Sequence, residues 1–448
     1  MAFKFDRKDK IFISIIMLVH MLFFVLACCY KRIYMGDSFE YIYEALNIKN
    51  HFFFYSGNPA MPIMPEYMTQ RQPLYPMFLM FVYLFTINNW VVIVFQNMLS
   101  VFNIYYTRKI LLRIGYDKKH DWLLLLFIVA YPAQFINANM VAPDILLQTF
   151  TLLYIGNFIS LFQRKQLKYA IYMSLSLAAG LFVKPVLYPF VIAHVFIVIA
   201  TATRHKMLLQ RVVLVAIFPL CSVLAYNYWN YTRTDKFHFS SNQAFNAIFY
   251  YHSFFSSKYG TDSAQHFLQN ERKNIAAIPD YKDRYDYANE RGVELLKQNF
   301  VPYMLYHLKH SARILIEPGK GELDLFTGSL TYGNLYHGAK TGFYATLKNN
   351  GWAGIGEYVH NNPSMPVVLL VLLFNIARLL GLVIFFFNRN IHWLLRMFIF
   401  TIIAYFAVAA GPIANTRYFL PVSLLVIGCS VLGFMNNKPQ NKIRNFAP

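Results

Sequence analysis

The chain has 448 residues, of which 57% are hydrophobic and 18% aromatic, while only 14% are charged. Soluble globular domains carry about 25% charged residues, so this composition predicts a polytopic membrane protein. The net charge of +20 does not indicate nucleic-acid binding, because the basic residues lie in short clusters between apolar runs. A soluble globular fold is therefore excluded, and nucleic acid is not expected as a partner.

The first apolar run, residues 11–30, follows several basic residues and resembles a signal peptide. It lacks a small-residue cleavage site, because Ala27 is followed by Cys-Cys-Tyr-Lys. We therefore interpret it as an uncleaved first membrane helix.

Ten apolar runs approach the roughly 20 residues that a helix needs to cross a bilayer. In chain order they are 11–30, 90–108, 121–137, 145–162, 169–184, 186–203, 212–230, 366–388, 394–411 and 418–436. An eleventh run, 73–87, is shorter and begins with two prolines, which favours a helix that lies at the membrane surface or dips in and returns.

The basic clusters of the short loops set the expected orientation. If the N-terminus is cytoplasmic and 73–87 does not cross, these clusters all fall on the cytoplasmic side, as the positive-inside rule requires. They are Arg108/Lys109/Arg113/Lys118/Lys119, Arg164/Lys165/Lys168, Arg204/Lys206/Arg211, Arg389/Arg396 and Lys438/Lys442/Arg444. Segments 31–72 and 231–365 then face outward, and both termini are cytoplasmic. The predicted organisation is an N-terminal transmembrane module (1–230) with a first outer loop (31–89), an outer region (231–365), and C-terminal helices with a basic tail (366–448).

Some charged residues lie at the outer ends of predicted helices, where the positive-inside rule does not explain them. Ionisable groups at membrane depth commonly face a cavity and mark a functional path. Simpler interpretations remain open: acids at helix starts, or cations that reach the headgroups. Arg378 lies nearer mid-membrane, and both a cytoplasmic and a cavity position stay open for it. The outer group comprises Lys31, Arg32, Asp37, Glu40, Glu44, Arg71, Asp144, Lys184, Arg233 and Arg417.

Carboxylates and cations on one membrane face suit chemistry at a lipid phosphate. A lipid-phosphate leaving group gains negative charge as its bond to a sugar breaks, and nearby cations stabilise that transition state. A carboxylate opposite can take the proton from an incoming hydroxyl or amine.

Five short motifs in order along the chain resemble the GT-C superfamily of integral-membrane glycosyltransferases. They are GDSFEYIYEA, RQPLYP, APD, VKP and NTRYFLP, and they extend from Asp37 to Pro421. The closest resemblance is to the bacterial branch related to protein O-mannosyltransferases and the lipid A aminoarabinose transferase.

The resemblance implies an all-α, GT-C-type bundle of about ten transmembrane helices, with interfacial helices at the outer face and a mixed outer loop. It also implies an inverting transfer of a sugar from a polyprenyl-phosphate donor to an envelope acceptor, on the outer side of the inner membrane. The acceptor stays open among lipid A, another envelope glycan, a teichoic-type polymer and protein.

The same resemblance implies roles for individual residues. Asp37 matches the catalytic base and Asp144 the second acid. The expected donor-phosphate ligands are Arg71, Lys184 and Arg417, and the further candidates for substrate contact are Glu40, Tyr75 and Tyr418.

No metal site is predicted, and metal dependence stays open. Some relatives have an acidic residue before the basic residue of the second motif and use it with a loop histidine around a metal, whereas this chain has Gln70 there. His307 and His310 could share a helix face, but two histidines without a third ligand do not indicate zinc.

Two other functions compete with this prediction. An O-antigen ligase or polymerase would share the many helices and the large outer loop. Enzymes of that class do not share the acidic loop that contains Asp37 directly after the first helix, which argues against this function. A lipid-linked sugar flippase or transporter would concentrate ionisable groups near the midplane and often shows repeated halves, which this sequence lacks.

Overall fold

The structure is a computed structural model, and it describes residues 6–204, 209–329, 343–360 and 362–435. Lys206 and the basic tail that begins at Lys438, both part of the orientation prediction, lie outside these residues. The described residues contain helices and no strand.

Nineteen α-helices are described within these ranges. In chain order they are α1 (Arg7–Tyr30), α2 (Ser38–His51), α3 (Leu74–Tyr83), α4 (Asn89–Arg113), α5 (Asp121–Val129), α6 (Pro132–Ala138), α7 (Asp144–Arg164), α8 (Leu167–Val183), α9 (Phe190–Arg204), α10 (Leu209–Thr234), α11 (Asn242–Tyr259), α12 (Thr261–Ala276), α13 (Tyr281–Gln298), α14 (Phe300–Ser311), α15 (Lys320–Thr327), α16 (Phe343–His360), α17 (Met365–Phe387), α18 (Trp393–Ala410) and α19 (Thr416–Phe434).

Seven of these helices are long and apolar enough to cross a membrane: α1, α4, α7, α10, α17, α18 and α19. The prediction of an all-α polytopic membrane protein is thereby confirmed. Two other predicted spans, 169–184 and 186–203, correspond to the shorter helices α8, of 17 residues, and α9, of 15 residues. A turn at Pro185–Leu187 lies between these two helices.

The predicted span 121–137 is broken rather than continuous. The helices on either side of the break, α5 and α6, are bent by 66°. Pro132 has no backbone N–H to continue the α-helix, and it drives the preceding Tyr131 out of the helical region. Arg378, whose position the sequence left open, donates from Nη2 to the carbonyl oxygen of Ala130 at 2.6 Å. The buried arginine therefore caps a backbone group that the break exposes.

Helix α3 occupies the run 73–87 that was predicted not to cross. Its ten residues span about 15 Å, half the thickness of a hydrocarbon core. It packs against α2, the helix that follows α1. This length agrees with a helix that stays on one side of the membrane.

The end of the bundle opposite the predicted outer face carries a buried ion cluster. Arg108 is fully buried, and its Nη1 and Nη2 each lie 2.6 Å from a carboxylate, of Asp9 and Asp121 respectively. Lys118 Nζ also lies 2.8 Å from Asp9. Arg108, predicted only as an orientation signal, is thus a structural link between α1, α4 and α5.

The outer region, predicted as a mixed loop, is mainly helical in its described residues. Helices α11 to α14 share a hydrophobic core of their own, formed by residues that include Ile248, Tyr251, Phe254, Leu295 and Tyr303. This small bundle covers the ends of the membrane helices where the charged residues of the sequence prediction lie.

Candidate functional site

Arg417, the second residue of α19, joins the two predicted acids. Its Nη1 and Nη2 donate to the two carboxylate oxygens of Asp37 at 3.0 and 2.8 Å. Its Nε donates to Asp144 Oδ2 at 2.5 Å. Lys184 Nζ donates to the other oxygen of Asp144 at 2.8 Å. Four of the predicted site residues therefore form one connected network.

Arg71 extends this network on the other side of Asp37. Its Nε donates to Glu40 at 2.5 Å, and its Nη1 lies 3.7 Å from Asp37 Oδ2. Its guanidinium also stacks over the ring of Tyr41, 5.0 Å from the centroid. The network, called the ion network below, has three acids and three cations: Glu40, Asp37, Asp144, Arg71, Arg417 and Lys184.

The three cations are largely buried, which disagrees with the simpler interpretation of cations that reach the lipid headgroups. The side chains of Arg417 and Lys184 are each 13% exposed, and that of Arg71 is 17% exposed. Each cation is instead held by at least one carboxylate. Arg71, Lys184 and Arg417 are therefore paired with acids of the same predicted group.

Backbone contacts bring Asp37 next to Asp144. The N–H of Val141 donates to the carbonyl of Ile33 at 2.8 Å, and Ser38 Oγ donates to the carbonyl of Val141 at 2.7 Å. The loop that follows α1 is thus pinned to the loop that precedes α7. Because α7 then begins at Asp144, the two carboxylates meet at the same end of the bundle.

A buried amide ladder aligns α7 with α19, and the sequence prediction missed it. Gln148 lies one turn after Asp144, and its Nε2 donates to the carbonyl of Leu420 at 2.7 Å. Gln134 and Asn103 bond to the same glutamine side chain at 2.9 and 3.1 Å. The sequence did contain a signal for these contacts, namely amide side chains inside apolar runs. Buried amides are normally hydrogen-bonded, so such residues predict partners on neighbouring helices.

Glu322, on α15 of the outer region, was also missed. Its Oε1 accepts from Thr416 Oγ1 at 2.5 Å and from the backbone N–H of Arg417 at 3.1 Å. A carboxylate at this position satisfies the first N–H groups of α19 and interacts favourably with the helix dipole. The outer region therefore helps to fix the helix that carries Arg417.

A cavity of about 530 Å³ lies beside the ion network, between the membrane helices and α11. Arg71 and Lys184 line it directly. Tyr418 also lines it, with its ring 4.9 Å from Lys184 Nζ. Asp37 lies behind Arg71, Asp144 lies behind Lys184, and Arg417 joins these two acids.

Tyr75, a predicted candidate for substrate contact, is not among the residues that line the cavity. It is completely buried, its hydroxyl donates to Gln96 at 2.6 Å, and its ring packs edge-on against Tyr41. Tyr41 does line the cavity. The geometry therefore makes Tyr75 a support for Tyr41 and Arg71.

Asp37 is held in its ionised form. Burial alone would raise the pKa of its carboxyl, but Arg417, Arg71 and Lys184 outweigh burial and hold the pKa well below its usual range. The carboxylate is then fully charged at neutral pH.

Glu44, one turn after Glu40 on α2, gives a testable pH dependence. Burial raises the pKa of its carboxyl to about 8 despite Arg233 and Arg71, and its Oε2 has no hydrogen-bond partner. The folded-state pKa exceeds the ordinary value of 4.5, so the folded protein holds the Glu44 proton more tightly than the unfolded chain does. The stability that this protonation contributes is fully present below pH 4.5 and is lost as the pH rises toward 8.

We expect the free energy of unfolding of the wild type to fall, relative to Glu44→Gln, by up to about 1.4 kcal/mol per pH unit over this window. Unfolding in a denaturing detergent at pH 5, 6.5 and 8 measures the difference. Parallel pH profiles for the two proteins would show that Glu44 does not change protonation on folding.

The described residues contain no group of three or more His, Cys, Asp or Glu side chains arranged to hold a metal ion. His307 bonds to the Tyr303 hydroxyl and to the Val408 carbonyl, and His310 to the Tyr306 carbonyl. The Asp37 and Asp144 oxygens accept from cationic side chains. These histidines and acids are engaged with other groups and do not form a metal-ligand set, so no chemical step is assigned to a metal.

Comparisons with known proteins give two structural matches. One is the archaeal oligosaccharyltransferase AglB from Archaeoglobus fulgidus, in complex with an inhibitory peptide and a dolichol-phosphate: 12% identity, TM-score 0.44, 94% of this chain and 50% of that chain covered. The other is ArnT from Cupriavidus metallidurans bound to undecaprenyl phosphate: 12% identity, TM-score 0.40, 94% and 77% covered.

This chain spans about half the length of the AglB chain it matches. No family model and no curated protein sequence matches it. At these identities and TM-scores, the chemistry of the ion network and of the cavity must carry the functional argument.

Proposed function

We propose that this protein is a glycosyltransferase that moves a sugar from a polyprenyl-phosphate donor to an envelope acceptor, with inversion, on the outer face of the inner membrane. The observation that carries the proposal is the ion network at one end of apolar helices, beside a cavity large enough for a glycosyl group. The acceptor is a glycolipid, a glycan or a protein, and both chain termini are cytoplasmic.

The network suits a phosphate that arrives at the membrane surface. Arg71 and Lys184 line the cavity, and Arg417 lies directly behind them with its guanidinium fork on Asp37. A guanidinium binds phosphate oxygens in the same bidentate manner as carboxylate oxygens. A donor phosphate can therefore replace Asp37 as a partner of Arg71 and Arg417.

This exchange links donor binding to activation of the base. When Arg71 and Arg417 engage the phosphate, they stabilise the Asp37 carboxylate less, so its proton affinity rises. An acceptor hydroxyl or amine then attacks the anomeric carbon opposite the phosphate and gives its proton to Asp37. The bond from the anomeric carbon to the phosphate oxygen breaks, and polyprenyl phosphate leaves with the bonding electrons beside the cations.

Asp144 has a positioning role in this mechanism. It is 1% exposed and holds both Lys184 and Arg417 through its two oxygens. With this anchor, the two cations keep their places while Asp37 exchanges partners. The second acid of the sequence prediction thus orients the cations rather than accepting the substrate proton.

The position of the ion network favours an enzyme over a transporter. Transporters place their ionisable sites near the bilayer midplane, between repeated halves. Here the network lies where α7 and α19 begin and where α8 ends, at a common end of the bundle. Retention of sugar transfer by purified protein in detergent, without a closed compartment, would distinguish the enzyme from a flippase.

We expect Arg71→Ala to lower kcat/KM for the donor by about 100-fold, because a cation that meets the phosphate in the transition state is lost. The measurement is transfer of labelled sugar from a polyprenyl-phosphate donor extract to endogenous acceptors, in membranes that carry matched amounts of each protein. Arg272→Ala, at an exposed position of α12, is the matched control and should retain wild-type turnover. Unchanged donor turnover in Arg71→Ala would remove Arg71 from the phosphate site.

A further inference from the structure

A segment of the outer region, residues 312–328, follows α14 and packs against the membrane helices. We call it the strap, and it consists of a 3₁₀ turn at Ala312–Leu315, a short loop and α15. Asn375 of α17 holds its first half, because its Nδ2 donates to the carbonyl oxygens of Ile316 and Glu317 at 3.2 and 2.9 Å. Ile314, beside this contact, is 3% exposed. The first half of the strap is therefore buried against a membrane helix.

The second half of the strap is anchored to α1. Phe326 is 2% exposed, and the centroid of its ring lies 6.2 Å from that of Phe23 and 5.9 Å from that of Tyr30. Aromatic pairs in such arrangements stabilise a fold beyond the area that they bury. Helix α1 leads into the loop that carries Asp37. The strap thus extends from α17 to the helix that precedes the proposed base.

Between these two anchors, the strap makes a close contact with the start of α19. Glu322 is 5% exposed, and its Oε1 accepts from the Thr416 hydroxyl and from the Arg417 N–H. Gly319, three residues earlier, has a φ of +75°, and a Cβ at this position would lie 3.1 Å from Thr416 Oγ1. A side chain here would be strained by the left-handed backbone and crowded by Thr416. Glycine therefore allows the close approach in which Glu322 bonds to α19.

Glu322 is not needed to begin α19, because the helix has a local cap. Asn415 precedes the helix, and its Oδ1 accepts from the same Arg417 N–H at 2.9 Å. Asparagine is among the residues that cap a helix N-terminus best. The contact with Glu322 is therefore an additional tether between the strap and α19.

This tether acts on the residue that bridges the two acids of the site. Arg417 directs two N–H groups to Asp37 and a third to Asp144, and its side chain extends from the backbone that Glu322 holds. A misplacement of about 1 Å caused by a distant substitution can lower a rate by about 100-fold. A small shift of the first turn of α19 would therefore take the guanidinium out of register with its partners.

We propose that Glu322 is a positioning residue for donor binding: it ties the strap to the start of α19 and thereby holds Arg417 where it can exchange Asp37 for the donor phosphate. The inference rests on the proposed function and deepens it, because it makes the seating of an outer segment a condition for phosphate binding. Glu322 is not among the residues that line the cavity. Its effect on the donor therefore passes through Arg417.

The first test measures binding of undecaprenyl phosphate to purified full-length protein in detergent. We expect Glu322→Ala to weaken this binding by about tenfold, because the tether is lost. Glu322→Gln should restore the affinity to within about threefold of wild type, since an amide oxygen can accept from both donors. Asp324→Ala is the matched control: Asp324 is also on α15 and is 4% exposed, but it pairs with Lys320 of the same helix. This control should bind as the wild type does.

Kinetics separate positioning from a loss of folded protein. Transfer of labelled sugar is measured in membranes with matched amounts of each protein, over a series of donor-extract concentrations. We expect the apparent KM for the donor to rise by about tenfold in Glu322→Ala. A variant that is merely less stable would lower the maximal rate and leave KM unchanged. If Glu322→Ala does not fold, Thr416→Val removes one of the two donors and should weaken undecaprenyl phosphate binding by about threefold.

The outcomes separate the two proposals. Wild-type affinity and wild-type KM in Glu322→Ala, or in Thr416→Val where that variant replaces it, overturn the inference and leave the proposed function intact. An equal loss of binding in Asp324→Ala also overturns the inference, because it would mean that any damage to α15 has the same effect. Failure of the wild type to bind undecaprenyl phosphate and to transfer sugar overturns the proposed function itself.

Discussion

Asp37→Asn is expected to lower sugar transfer by about 100- to 10,000-fold, the range that a general base contributes. The asparagine side chain has the same size and can still accept a hydrogen bond from Arg417, but it cannot accept the acceptor's proton. The substitution also removes a negative charge that competes with the donor phosphate for Arg417. We therefore expect binding of undecaprenyl phosphate to be unchanged or tighter while kcat falls.

The measurement is transfer of labelled sugar from a polyprenyl-phosphate donor extract to endogenous acceptors, in membranes with matched amounts of wild-type or variant protein. Asp262→Asn, at an exposed position in the first turn of α12, is the matched control and should keep full activity. Equal product from Asp37→Asn and wild type would remove Asp37 from the mechanism. That result would favour the ligase or transporter function.

Measuring binding of undecaprenyl phosphate beside sugar transfer shows whether a loss of transfer is caused by misfolding. A misfolded Asp37→Asn protein would lose binding of undecaprenyl phosphate together with transfer. A variant that binds the lipid phosphate normally and transfers no sugar has lost a step after donor binding. This combination identifies a catalytic role rather than a structural one.

The charged members of the site could be predicted because they break a physical rule. Charges at membrane depth are energetically costly, so Arg71, Lys184 and Arg417 were expected to face a cavity or to pair with opposite charges. The structure supplies the reason by pairing each of them with a carboxylate. Their sequence positions were therefore informative even though their partners were unknown.

The partners themselves could not be predicted, because they depend on long-range packing. Arg417 and Asp37 are 380 residues apart in the chain, and no local pattern links them. Glu322 lies in the region predicted as a mixed outer loop, yet it accepts from the first turn of α19. The bend at Pro132 is different, because a local signal existed. The proline is visible in the sequence, but the length of the apolar run 121–137 led to the prediction of a continuous span.

Arg417 is the residue whose loss should damage both stability and activity. Three of its donors are used, two on Asp37 and one on Asp144, and its side chain is 13% exposed. Arg417→Ala leaves these buried carboxylates short of a partner. Breaking a buried ion pair in this way costs about 3–5 kcal/mol of unfolding free energy. We also expect transfer to fall below detection.

Arg417→Lys should separate charge from geometry. An ammonium restores one positive charge but cannot bridge two carboxylates with a planar fork. We expect most of the stability to return, while transfer stays about 100-fold or more below wild type. Unfolding in a denaturing detergent measures the first quantity, and the labelled-sugar assay measures the second. Arg272→Lys serves as the matched exposed control.

The double variant Arg417→Ala/Asp37→Asn tests whether these two residues pair, because it removes the arginine together with one of the charges it balances. If the two residues form a buried pair, the double variant should be more stable than the sum of the single effects predicts, by about 1–3 kcal/mol. It should still transfer no sugar, since both the base and the phosphate ligand are absent. Strictly additive stabilities would mean that Arg417 and Asp37 do not pair in the protein, and the exchange mechanism for activating Asp37 would fail with them.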